Sequence, residues 1–76
     1  MTYKIGTTVF ILDPENVEMI VLKKEVNNFS EDFYLYYWLV DSASRHEVFL
    51  GHSNENATRI FETIVEDVFG EVKELG

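Results

Sequence analysis

Ala57-Thr58-Arg59-Ile60-Phe61-Glu62-Thr63-Ile64-Val65-Glu66-Asp67-Val68-Phe69-Gly70-Glu71-Val72-Lys73-Glu74-Leu75 is the stretch that decides the fold. Its apolar residues (Ala57, Ile60, Phe61, Ile64, Val65, Val68, Phe69, Val72, Leu75) recur at the helical period over about five turns. A strand template does not fit them. Between them stand Arg59, Glu62, Thr63, Glu66, Asp67, Glu71, Lys73 and Glu74. The spacing predicts an amphipathic helix with one buried side and one acidic side. Ser53 or Asn54 is the expected N-cap, and Glu55 suits the positive end of the helix dipole. Gly70 either ends the helix or interrupts it; the period continuing to Val72 and Leu75 favours a further, weaker turn.

A helix of this kind needs a sheet to cover. Tyr3 to Leu12 reads as a first strand, rich in β-branched and aromatic residues. Along one strand Tyr3, Ile5, Val9 and Ile11 share a face, Phe10 and Leu12 take the other, and Gly6 marks a bulge or bend. Asp13-Pro14-Glu15-Asn16 is a turn. Val17 to Val26 is a second strand, and Asn27 to Asp32 a connection that is polar except for Phe29. The third strand, Phe33 to Val40, is the densest. It places Phe33, Leu35, Tyr37 and Leu39 on one face and Tyr34, Tyr36, Trp38 and Val40 on the other. Neither face is polar, as in a central strand contacted on both sides. After the turn at 41–44, Arg45 to Leu50 is a short fourth strand ended by Gly51.

The short connections favour an α+β fold: a four-stranded antiparallel β-meander with one C-terminal amphipathic helix on one face, ββββα. A curled, SH3-like half-barrel with the helix as its lid is the alternative. In the core, Phe61, Ile64, Val65 and Val68 are expected against Ile5, Val9, Ile11 and Leu35, or against the neighbours on the opposite strand face.

The 76 residues suffice for a single domain, and the 46% hydrophobic content argues against disorder. There is no cysteine, hence no disulfide and no thiolate metal site. No apolar run approaches the roughly 20 residues of a membrane span, and the N-terminus lacks a signal-peptide core, so a cytoplasmic location is expected. The formal charge is −8. Direct nucleic-acid binding needs a basic footprint and an anionic membrane repels acids, so neither partner fits. A basic protein surface does.

Catalytic signals are weak. His46 and His52 match no metal-ligand spacing. Ser42, Ser44 and Ser53 stand in no nucleophile motif, and the glycines form no phosphate loop. Adjacent acids such as Glu31-Asp32 read as solvated surface without a cleft to shift them. The expectation is a non-enzyme with no catalytic, cofactor-binding or metal residues and no cofactor.

Two features stand out as partner-binding candidates. Tyr34, Tyr36 and Trp38 form an aromatic sheet face that a lone helix leaves open, and Tyr and Trp are typical interface anchors. Glu62, Glu66, Asp67 and Glu71 make an acidic row with like charges four apart, which costs helix stability. The expected function is an acidic protein-binding domain, an inhibitor or modulator docking on a basic surface of a nucleic-acid-handling protein. Size and charge are those of phage-type anti-defence proteins and DNA mimics that block restriction, CRISPR or repair enzymes; that is analogy, not recognition. The alternative is a homodimer or larger homo-oligomer pairing through the aromatic face.

Overall fold

A computed structural model of the protein describes residues 1–72 and 75. Among these the order is β1 (Thr2–Ile5), β2 (Thr8–Ile11), a 3₁₀ turn (Pro14–Asn16), β3 (Val17–Val26), β4 (Glu31–Leu39), β5 (Arg45–Gly51) and α1 (Asn54–Phe69). The class is α+β with antiparallel strands, as the sequence predicts. The four-stranded meander is corrected to five strands in two sheets, a β1–β2 hairpin and a β3–β4–β5 meander.

The correction lies at Gly6. Residues Tyr3 to Leu12 do not form a continuous strand: the chain reverses at Gly6-Thr7, so that Ile5 pairs with Thr8 and Tyr3 with Phe10. Gly6 has φ +60° and Thr7 does not enter the positive-φ region. That is the pattern of a two-residue type II′ turn, which has glycine at its first central position and matches the strand twist. Directly paired residues share a face, so the reversal exchanges odd for even positions. Tyr3 and Ile5 now side with Phe10 and Leu12. Leu12 is fully buried, whereas Val9 and Ile11, expected in the core, are 60% and 64% exposed.

The meander is built around β4. It pairs with β3 from Val26↔Glu31 to Val17↔Leu39, with an irregularity between Val17 and Met19, and with β5 from Phe33↔Gly51 to Trp38↔Arg45. The inner face carries Phe33, Leu35, Tyr37, Val48 and Leu50, which join Leu12, Val17, Ala57, Ile64 and Val68 in one buried cluster. Helix and hairpin lie over this face together. Phe10 stacks on Tyr37 at a centroid distance of 6.1 Å, and Tyr3 meets Phe10 at 5.6 Å. Phe61 packs against the cluster only partly buried.

Ser53 caps α1, its hydroxyl accepting from the Asn56 amide at 3.2 Å. The helix ends at Phe69. Gly70 follows at φ +100°, a conformation that glycine adopts without Cβ strain, and its amide donates to the Glu66 carbonyl at 2.9 Å. The further turn expected through Val72 and Leu75 is therefore corrected. Glu71 follows the helix instead of lying on it, and both Val72 and Leu75 are exposed. Lys73 and Glu74, also placed in that turn by the sequence, lie outside the described residues.

Candidate functional site: two opposed surfaces

The candidate residues fall on opposite sides of the molecule. Register places Tyr34, Tyr36 and Trp38 on the outer face of the meander, with Lys23, Val21 and Met19 opposite them on β3 and Phe49, Glu47 and Arg45 opposite them on β5. The helix covers the inner face. The acidic side of α1 and the aromatic sheet face are therefore separated by a full sheet-and-helix thickness. A flat partner surface cannot touch both at once.

The aromatic face is an ordered array. Tyr34 and Tyr36 stack at 6.1 Å, and Phe49 leans against Tyr34 at 5.4 Å. The Arg45 guanidinium sits 4.2 Å above the Tyr36 ring, while its Nη2 donates to Glu47 Oε1 at 2.7 Å. The Tyr36 hydroxyl donates to Glu25 Oε1 at 3.2 Å. These lateral neighbours bury Tyr36, while Tyr34 and Trp38 stay half-buried and Met19 and Phe49 exposed. At the end of the array His52 meets the Phe49 ring edge-on and its Nδ1 lies 2.9 Å from Asp32 Oδ1. His46 sits on the inner side, stacked on Tyr37 at 4.8 Å. The two histidines thus belong to opposite faces. Among the described residues no group of three or more His, Cys, Asp or Glu is placed to hold a metal ion. Phe49, Arg45 and Met19 join the array without having been singled out as candidates; strand alternation sets Glu47 and Phe49 opposite Val48 and Leu50, and the pairing with β4 puts the first two on this side.

On the helix, Glu55, Glu62, Glu66 and Asp67 are exposed, as is Glu71 beyond it. Among the described residues, none of these five forms an ion pair; the pairs present are the N-terminal ammonium with Asp13, Lys24 with Glu31, Arg45 with Glu47, and His52 with Asp32 when that histidine is protonated. Arg59, the basic residue flanked in sequence by Glu55 and Glu62, bonds to the Asn56 side-chain carbonyl and to neither acid. Asp67 differs from the other acids. It accepts a hydrogen bond from the Tyr3 hydroxyl at 3.0 Å and so ties the hairpin to the helix.

Burial, and then the hydrogen bond and negative charge of Asp67, push the Tyr3 phenol up to about 12. Burial also raises Tyr34, Tyr36 and Tyr37, with nearby acids adding to the first two. In each case the fold favours the neutral phenol. The stabilisation is complete below the ordinary value of 10.0 and, for Tyr3, is lost as pH climbs from there to about 12. Absorbance titration of the protein against its Tyr3→Phe variant isolates this group. Asp67→Asn should lower its pKa yet leave it above 10.0, since the burial remains. An unchanged Tyr3 titration in Asp67→Asn would show that the bond is absent in solution.

Comparison with known proteins returns no matching family model, no matching curated protein and no matching solved structure. Among the described residues no helix is long and apolar enough to cross a membrane.

Proposed function

We propose that this chain is a non-enzymatic protein-binding domain whose acidic helix side docks on a basic surface of another protein, of the kind that handles nucleic acid. The observation that carries this reading is the run of exposed carboxylates, Glu55, Glu62, Glu66 and Glu71, without ion-pair partners among the described residues. Glu62 and Glu66 are one turn apart, where like charges cost the helix a few tenths of a kcal/mol. A basic groove would supply the counter-charges that these carboxylates lack among the described residues. Such a row steers association over the Debye length and forms charge-assisted hydrogen bonds with Arg and Lys on arrival. Inhibition of a nucleic-acid enzyme by occupying its basic channel is the activity that this chemistry suits, and action within the cytoplasm would suit such a target.

Asp67 is left out of the test because its substitution would also loosen the hairpin. Replacing Glu62, Glu66 and Glu71 with Gln should keep the melting temperature or raise it slightly. Binding to the basic protein recovered with the wild-type chain should weaken, mainly through a slower on-rate, and its salt dependence should flatten. Wild-type affinity of this variant at both low and physiological salt would end the proposal.

The aromatic face, with Phe49 exposed and Tyr34 and Trp38 half-buried around the buried Tyr36, supports a second reading, a homodimer or accessory domain paired through that face. A salt-insensitive dimer in which Trp38 is shielded from acrylamide would favour it over the acidic docking site.

A further inference from the structure

Arg59 is the only Lys or Arg in α1, and it stands among acids. Glu55 lies four positions before it and Glu62 three after it. At about 100° per residue, Glu55, Glu62 and Glu66 all fall on one flank of Arg59. An acid four positions before a base is the favoured orientation for a helical ion pair. Among the described residues Arg59 nevertheless pairs with none of the three.

The cause lies on the other flank. The Asn56 side-chain carbonyl accepts from Arg59 Nη2. Asn56 and Arg59 both line the groove between α1 and the β1–β2 hairpin, together with Tyr3, Ile5 and Ile60. In this position the guanidinium keeps a charge-assisted hydrogen bond, and its methylene stem stays beside the isoleucines of the groove. An exposed ion pair contributes too little to draw it away.

We propose that Asn56 is a positioning residue of the acidic docking side: it holds Arg59 at the groove and so leaves Glu55 and Glu62 open to a partner's Arg and Lys side chains. The role rests on the function proposed above. Without the Asn56 carbonyl, Arg59 turns to Glu55 or Glu62. It then cancels one charge of the row and competes with the cations of the partner.

Asn56 acts only through Arg59, and that sets the expected results. The probe is a nona-arginine peptide, with association and dissociation rates read by stopped flow at low salt. Asn56→Ala retains the backbone amide that donates to Ser53 Oγ, and both Asn56 and Arg59 are exposed, so the fold should be kept. The variant also keeps the net charge of −8, so its on-rate should be unchanged. Its complex should dissociate about two- to fivefold faster, the worth of an exposed ion pair. Arg59→Gln should associate faster than the wild type and dissociate no faster. Asn56→Ala combined with Arg59→Gln should match Arg59→Gln alone. Wild-type dissociation in Asn56→Ala, or faster dissociation of the double variant than of Arg59→Gln, would each overturn the proposal.

A second measurement needs no partner. In urea titrations, Glu55→Gln and Glu62→Gln made together should lower the midpoint of Asn56→Ala more than that of the wild type, because only there do they break an ion pair. Equal shifts would overturn the role of Asn56 and leave the docking side standing. Wild-type peptide rates in the variant with Glu62, Glu66 and Glu71 replaced by Gln would end the docking function and this role with it.

Discussion

Replacing Ile64 with alanine should lower the unfolding free energy by about 2–5 kcal/mol. The side chain is 2% exposed and sits on α1 within the cluster formed by Leu12, Leu35, Tyr37, Val48 and Leu50. Truncation removes its transfer energy and leaves a cavity that the sheet is too rigid to close fully. A domain of this length is stable by only about 4–11 kcal/mol, at roughly 0.05–0.15 kcal/mol per residue. The loss is therefore a large share of the whole, and the melting temperature should fall by ~10–30 °C. Calorimetry or urea titration checks it. An unchanged melting curve would mean that α1 does not pack on the sheet.

The second large effect is a contrast between neighbours. Leu12→Ala should cost about 2–5 kcal/mol, and Ile11→Ala less than about 1 kcal/mol. Leu12 is 0% exposed and Ile11 is 64% exposed. The amide of Leu12 also donates to the Met1 carbonyl at 2.9 Å, which extends the hairpin pairing to the N-terminus. A continuous strand from Tyr3 to Leu12 predicts the reverse order, with Ile11 inside. Measuring both variants by the same denaturant titration decides between the hairpin and the single strand. Equal losses would fit neither geometry.

Much of this architecture was legible because local signals agreed with the tertiary outcome. The period at Ile60, Ile64 and Val68 marked the helix, and the alternation in Phe33 to Leu39 marked its two faces correctly. Pro14 marked the break before β3, and Ser53 or Asn54 the start of the helix, of which Ser53 is the cap. Where two readings were open at Gly70, the pattern of Val72 and Leu75 pulled toward a longer helix. A continuing apolar period is no use to a helix once its residues no longer reach the core. Both are exposed, and the positive φ of Gly70 stops the ladder first.

The candidate surfaces were legible as residue types and not as places. Tyr34, Tyr36 and Trp38 were correctly grouped, because a strand puts alternate residues on one side. That Tyr36 would be the buried one depended on Arg45, Glu25 and Tyr34 arriving from three strands. The role of Asp67 was hidden for the same reason: Tyr3 is 64 positions away in the chain.

The sequence alone determined that one helix would cover a largely aromatic antiparallel sheet and that the surface would be acidic, since periodicity and charge are local properties. Only the tertiary structure decided where the first ten residues turn. A glycine in a run of β-branched residues serves equally as a bulge or as a II′ reversal, and the local difference is small. The choice rests on which face then finds apolar partners. With the reversal, Phe10 reaches Tyr37 and Leu12 reaches the core, while Val9 and Ile11 remain in water. That balance is a sum over contacts with residues on β4 and α1, and it exists only once those elements have come together.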